Sequence, residues 1–158
     1  MSRYLESFIR EDLKEKMVFV GGPRQVGKTT LAFHLLGGAN EHHPDYFNWD
    51  FKEDRTRIRN SELPFGDPLI VLDEIHKHKP WRNLIKGFYD KFKSDSSFLV
   101  TGSARLDYYR RGGDSLAGRY HHYRLHPFSI AEMNRLSNET DLELLLKFGG
   151  FPEPLLKG

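Results

Sequence analysis

Between an apolar run of strand type, Met17-Val18-Phe19-Val20, and a helix-forming run, Thr30-Leu31-Ala32-Phe33-His34-Leu35-Leu36, the chain carries Gly22-Pro23-Arg24-Gln25-Val26-Gly27-Lys28-Thr29. This is G-x-x-x-x-G-K-[ST] in a strand–turn–helix setting, the context that a phosphate-binding loop requires. Gly22 and Gly27 can take backbone angles closed to other residues and let the chain approach a ligand closely. The loop N–H groups and the start of the helix at Thr29 and Thr30 then make a concave seat for phosphate oxygens. Lys28 is placed to reach the β- and γ-phosphates, and the Thr29 hydroxyl to ligate Mg²⁺. Residues 22–30 are therefore the candidate nucleotide-binding segment: Gly22, Pro23, Arg24, Gln25, Val26, Gly27, Lys28, Thr29 and Thr30.

A chain of 158 residues fits one domain with a real core, and 38% hydrophobic with 29% charged residues reads as globular. No apolar stretch approaches the roughly 20 residues of a membrane span, and residues 1–16 lack the continuous apolar segment of a secretory signal. The absence of cysteine excludes disulfides and thiolate metal sites and agrees with a reducing, cytoplasmic setting. The net charge of +2 is only mildly basic, where a nucleic-acid binder usually shows a denser basic stripe. Arg55-Thr56-Arg57-Ile58-Arg59 reads as solvated surface.

The expected order of elements alternates between types. A short amphipathic helix over 2–15 carries Leu5, Phe8, Ile9 and Leu13 on one face, and a strand follows at 17–20. Gly37-Gly38 stop the helix after the loop. Tyr46 to Phe51 reads as a second strand, Pro68 to Glu74 as a strand buried on both faces, and Ser97 to Thr101 and Tyr120 to Leu125 as the fourth and fifth. Pro80 opens a helix whose apolar face is Trp81, Leu84, Ile85, Phe88 and Phe92. The fold class is α/β: a three-layer P-loop sandwich with a mainly parallel five-stranded sheet and ligands at the carboxyl ends of the strands. The core is expected over 1–135. Residues 136–158 read as the start of a following helical region, cut from something longer.

A phosphate-binding loop needs a carboxylate to organise Mg²⁺, and an ATPase needs a group to position or deprotonate water. Leu69-Ile70-Val71-Leu72-Asp73-Glu74 offers both: Asp73 for the metal, directly or through water, and Glu74 as general base. Glu74 weighs against a kinase, which must keep water out. Thr101 and Ser103, at the end of the fourth strand, are placed to flank the γ-phosphate; a helix cap is an equal reading for Ser103. His76, His78, His121 and His122 do not make a zinc set, since four converging ligands are usual and strand alternation sends the last two to opposite faces.

With these pieces placed, the chain resembles the prokaryotic AAA+ superfamily ATPases whose loop reads Gly-Pro-Arg-Gln-Val-Gly-Lys-Thr. The resemblance runs on through Asp73-Glu74-Ile75-His76-Lys77, the Trp81 helix, Thr101-Gly102-Ser103-Ala104-Arg105-Leu106, Ser115-Leu116-Ala117-Gly118-Arg119, Pro127-Phe128-Ser129 with Glu132, and Gly149-Gly150-Phe151-Pro152-Glu153. It implies ATP and Mg²⁺, the Walker A and B roles above, and a sensor position near Thr101 or Ser103. It also implies a further C-terminal domain through which nucleic acid could be bound. Arg119 becomes the candidate charge-stabilising arginine, with Arg105 its rival and a surface ion pair an even alternative for each. In rings of this kind such an arginine comes from a neighbouring subunit, so a homo-oligomer is an implied partner. The expected function is Mg-dependent ATP binding and slow hydrolysis with Glu74, Lys28 and Arg119 as catalytic residues. The alternative is an ATP-dependent switch that acts on a partner. GTP is disfavoured by the lack of an N-K-x-D segment.

Overall fold

In the computed structural model the described residues are 3–103, 106, 116–133 and 141–157. The chain runs α1 (Glu6–Asp12), β1 (Met17–Gly21), α2 (Lys28–Leu35), β2 (Tyr46–Asn48), α3 (Lys52–Arg59), β3 (Leu69–Asp73), α4 (Trp81–Phe92), β4 (Ser97–Thr101) and β5 (Tyr120–Arg124). Three short helices follow: α5 (Ile130–Met133), α6 (Asp141–Phe148) and α7 (Pro152–Lys157). The five strands form one sheet in the order β2-β3-β4-β1-β5, with every neighbouring pair parallel. Parallel pairing needs a crossover between strands, and α2, α3 and α4 lie in the connections that lead to β2, β3 and β4.

Strand alternation divides the interior in two. Met17 and Phe19 of β1 face the same way as Phe47, Ile70, Leu72, Phe98 and Val100, under Trp81, Ile85 and Phe88 of α4. Val18, Val20, Val71 and Leu99 face the other way, under Leu5, Ile9 and Leu13 around α1 and Leu31, Ala32 and Leu35 of α2. Most of these side chains are fully buried, each contributing about 1.5–3 kcal/mol relative to exposure. Burial on both faces explains why β1, β3 and β4 read as unbroken apolar runs.

Three details differ from the sequence reading. Phe8 is 58% exposed, because α1 offers the core only the stripe of Leu5, Ile9 and Leu13. β2 stops at Asn48: the Asn48 side chain accepts the Asp50 N–H at 2.9 Å, and its carbonyl accepts the Phe51 N–H at 3.0 Å. Such local side-chain and turn bonds divert the backbone from the ladder. The helix of Trp81 begins one residue after Pro80, not at it.

Candidate nucleotide site

The consequence of β4 lying between β1 and β3 is geometric. The carboxyl ends of all three strands come together, so the loop after β1, Thr101 at the end of β4 and Asp73 at the end of β3 share one rim. Three hydroxyls converge on Asp73. Thr29 Oγ1 donates to Asp73 Oδ2 at 2.9 Å, Tyr46 OH to the same oxygen at 2.8 Å, and Thr101 Oγ1 to Oδ1. Asp73 is 3% exposed and Thr101 1%, so these bonds supply the polar partners that a buried carboxyl group requires.

The loop after β1 bends as its glycines allow. Gly27 has φ 96° and caps α2 in the left-handed region, while Gln25 takes φ 61° without being glycine. Gly22, at φ 152°, passes so close to β5 that a Cβ there would lie 2.5 Å from the Leu125 carbonyl oxygen. The buried Lys28 donates its ammonium protons to the carbonyls of Pro23 (2.6 Å) and Gly22 (3.2 Å). Burial pulls the Lys28 pKa below its ordinary value, Glu74 and Asp73 oppose that, and Arg24 adds to it.

A cavity of about 670 Å³ opens here, and it is lined by Arg24, Gln25, Gly27, Lys28, Thr29 and Thr30 on one side and by Asn48, Asp50, Asp73, Glu74 and Lys77 on the other. Pro152, Glu153, Leu156 and Lys157 of α7 close a third side. Gly22, Pro23 and Val26 shape the loop instead of lining the cavity. Val26 is fully buried, and its carbonyl accepts a bond from Arg3 at 2.8 Å.

Glu74 sits at φ 58°, left-handed for a residue with a Cβ, at a cost of about 1–2 kcal/mol. The Glu74 N–H bonds the Thr101 carbonyl at 2.9 Å, which holds that turn against β4. Its carboxylate meets Lys77 Nζ at 3.1 Å, and Lys77 in turn binds Asp50 at 2.6 Å. Backbone strain of this kind is kept where the surroundings enforce it, often at sites of function.

Thr101 and Ser103 part company. Thr101 reaches Asp73, whereas the Ser103 hydroxyl lies 3.2 Å from His76 Nε2. Arg119 lies elsewhere. Its carbonyl accepts the Met17 N–H at the amino end of β1, and its guanidinium pairs with Asp90 of α4 at 2.7 Å. The phosphate-binding loop is at the other end of the same strand, roughly 13 Å away at the rise of a β-strand. Arg119 is thus not brought to its own chain's cavity. Arg105 falls outside the described residues.

Two residues of this rim were not anticipated. Tyr46 OH is a buried partner of Asp73, with its pKa raised chiefly by burial and then by the Asp73 charge. Lys77 is the ion-pair partner of Glu74. Residue order offered no signal for the first, because Tyr46 opens β2 beside Val71 and only the length of its side chain carries the hydroxyl to Asp73. For Lys77 only its spacing of three residues from Glu74 was available.

Comparison with known proteins agrees with this geometry. A family model described as an AAA domain matches residues 14–134. No curated protein matches. Among solved structures, the Thermotoga maritima RuvB Holliday junction branch migration motor superposes with a TM-score of 0.61 at 17% identity, over 96% of this chain and 57% of that one. A DNA polymerase III gamma subunit-related protein from Thermotoga maritima gives 0.53 at 10% identity, over 97% and 52%. The chain therefore spans little more than half the length of either, and at such identities the likeness is one of fold. With the family model covering most of the chain and a P-loop α/β sheet of the same architecture, this protein belongs to the AAA domain family of P-loop, ATPase-type nucleotide-binding domains.

Proposed function

We propose that this domain binds Mg-ATP and hydrolyses it slowly. The observation that carries the reading is the meeting of Thr29 from the phosphate-binding loop with Asp73 from β3 at 2.9 Å, beside the Lys28 ammonium and in a cavity large enough for a nucleotide. The donor set fits the group: a hydroxyl and a carboxylate oxygen are hard ligands of the kind Mg²⁺ takes, with water filling its other positions. Thr29 and Asp73 would hold Mg²⁺, which when bound would offset charge that develops on the phosphates.

The chain's own residues do the rest. The amides of residues 24–30 hold phosphate oxygens, and Lys28 exchanges its two loop carbonyls for the β- and γ-phosphates. Asp73 is oriented by the hydroxyls of Thr29, Tyr46 and Thr101. Glu74 accepts a proton from water as the water oxygen bonds the γ-phosphorus and the bond to the β–γ bridging oxygen breaks, which releases ADP and phosphate. Lys28→Ala should remove nucleotide binding, and calorimetry that finds undiminished affinity refutes the site. Glu74→Gln should keep ATP and lose turnover; hydrolysis at the parental rate refutes the general base.

One observation favours a second reading, an ATP-dependent switch. The Glu74 carboxylate is held by Lys77, and Arg119 is a strand length away from the loop. In that reading turnover awaits a neighbouring copy that supplies Arg119 in trans, or ATP acts by ordering the domain for a partner. Turnover per chain that rises steeply with protein concentration supports assembly. ATP binding without turnover at any concentration supports the switch.

A further inference from the structure

A second cavity, of about 620 Å³, lies on the β2 side of the nucleotide site. One wall is the outer face of α3, with Lys52, Arg55 and Arg59 at spacings of three and four residues, so one helix face carries all three. The facing wall is the segment of His78 and Lys79 that leads into α4. Its lining contains no carboxylate. Of the two acids of α3, Asp54 is turned inward to accept the Asn48 N–H at 2.8 Å, and the exposed Glu53 does not line the cavity.

The cations of this trough differ in how far they are committed. Lys77 is bound by Asp50 and Glu74. Arg59 lies over the Trp49 ring at 5.1 Å. Lys52 and Arg55 on one wall and Lys79 on the other form no ion pair among the described residues. Burial first, and the Arg59 charge second, lower the His78 pKa below its ordinary value.

We infer that this trough binds the phosphate backbone of single-stranded nucleic acid. The shape argues for a chain and not a compact anion, because the trough is open and its cations stand on opposite walls, those of α3 from Lys52 to Arg59 along about 10 Å of helix. A cavity of about 620 Å³ suits a single backbone, whereas a duplex is too bulky to enter it. The aromatic floor argues for backbone contact without base stacking. Trp49 is 5% exposed and covered by His78 at 4.5 Å between ring centroids. Binding is therefore independent of sequence and strongly dependent on salt. It requires no nucleotide, so it stands apart from the ATPase reading.

The test is fluorescence anisotropy of labelled oligothymidylate with the whole chain, without ATP, over a series of salt concentrations. With three to four phosphates neutralised, log K should fall against log salt with a slope of about −2 to −3. Lys52→Gln/Lys79→Gln changes two exposed side chains, so it should melt with the parent; it should lower the slope by roughly 1.4 and weaken binding several-fold at low salt. Lys14→Gln/Lys93→Gln, at the opposite end of the sheet, should bind as the parent does. No binding at low salt, or equal binding and slope in the Lys52/Lys79 variant, overturns the assignment. So does equal affinity for a duplex of the same length, or preference for a phosphoserine peptide.

Discussion

Arg3 offers the sharpest quantitative test, because a residue near the start of the chain is bonded to the phosphate-binding loop. Its Nε donates to Glu132 Oε1 at 2.8 Å, its Nη1 to the Val26 carbonyl at 2.8 Å and its Nη2 to the His126 carbonyl, while the guanidinium lies 4.3 Å from the centre of the Phe128 ring. Both charged side chains are buried, at 4% and 3% exposure. Removing one member of a buried pair costs about 3–5 kcal/mol, mostly through the charge left behind. Glu132 would keep the N–H groups of Tyr4 and Ser129 and the Ser129 hydroxyl. That places Arg3→Met near the lower bound, about 3 kcal/mol, or a fall in Tm of roughly 6–12 °C for a chain of this size.

The pH dependence carries a sign. Burial pushes the Glu132 carboxyl up, but the Arg3 bond, the Ser129 and Tyr4 N–H groups and the Arg3 charge outweigh it, so the pKa lies below its ordinary 4.5. A carboxyl with a depressed folded pKa contributes its full stability above the unfolded value and loses it as pH falls through the folded one. The gap between parent and Arg3→Met should be constant above about pH 5 and narrow below pH 4.5. Arg3→Met/Glu132→Leu should recover part of the loss, as removing both charges does at other buried pairs. Calorimetric melts of the three proteins across this range decide it. A single variant melting within about 2 °C of the parent, or a gap that widens in acid, refutes the reasoning.

The remaining expectations follow from particular contacts. Gly22→Ala puts a Cβ 2.5 Å from the Leu125 carbonyl oxygen at φ 152°; about 2 kcal/mol of strain should lower ATP affinity more than tenfold, measured by titration calorimetry, with the far-UV spectrum unchanged. Thr101→Val is nearly isosteric and strips Asp73 Oδ1 of its donor, so chemical denaturation should show a loss of about 1–3 kcal/mol; no loss would mean that the bond is not formed. Tyr123 donates to Asp12 at 2.6 Å, and burial, followed by that bond and the Asp12 charge, pushes its hydroxyl up to about 12. Its contribution is complete below the ordinary value of 10 and disappears as pH rises through about 12. Asp12→Asn should bring its absorbance titration part of the way back, since burial remains.

Much of the site was legible from residue order alone, for local reasons. Gly22 to Thr29 needs only a strand before it and a helix after it, and both are written in the adjacent residues. Leu69 to Asp73 announces a strand buried on both faces because no polar residue interrupts it, and a parallel sheet then requires its acidic end to face the loop. What residue order could not reveal depends on long-range placement. Arg119 resembled a catalytic arginine by its motif, yet the register of β5 on β1 puts it at the amino end of the sheet, against Asp90. Tyr46 and Thr101 become partners of one carboxylate only because β2 and β4 lie on either side of β3. The binding of Arg3 to Val26 and Glu132 joins residues 23 and 129 positions apart, and α7 reaches the cavity only because the chain folds back over the loop. Local pattern specifies which chemistry a segment can carry, while strand order and register decide which segments meet.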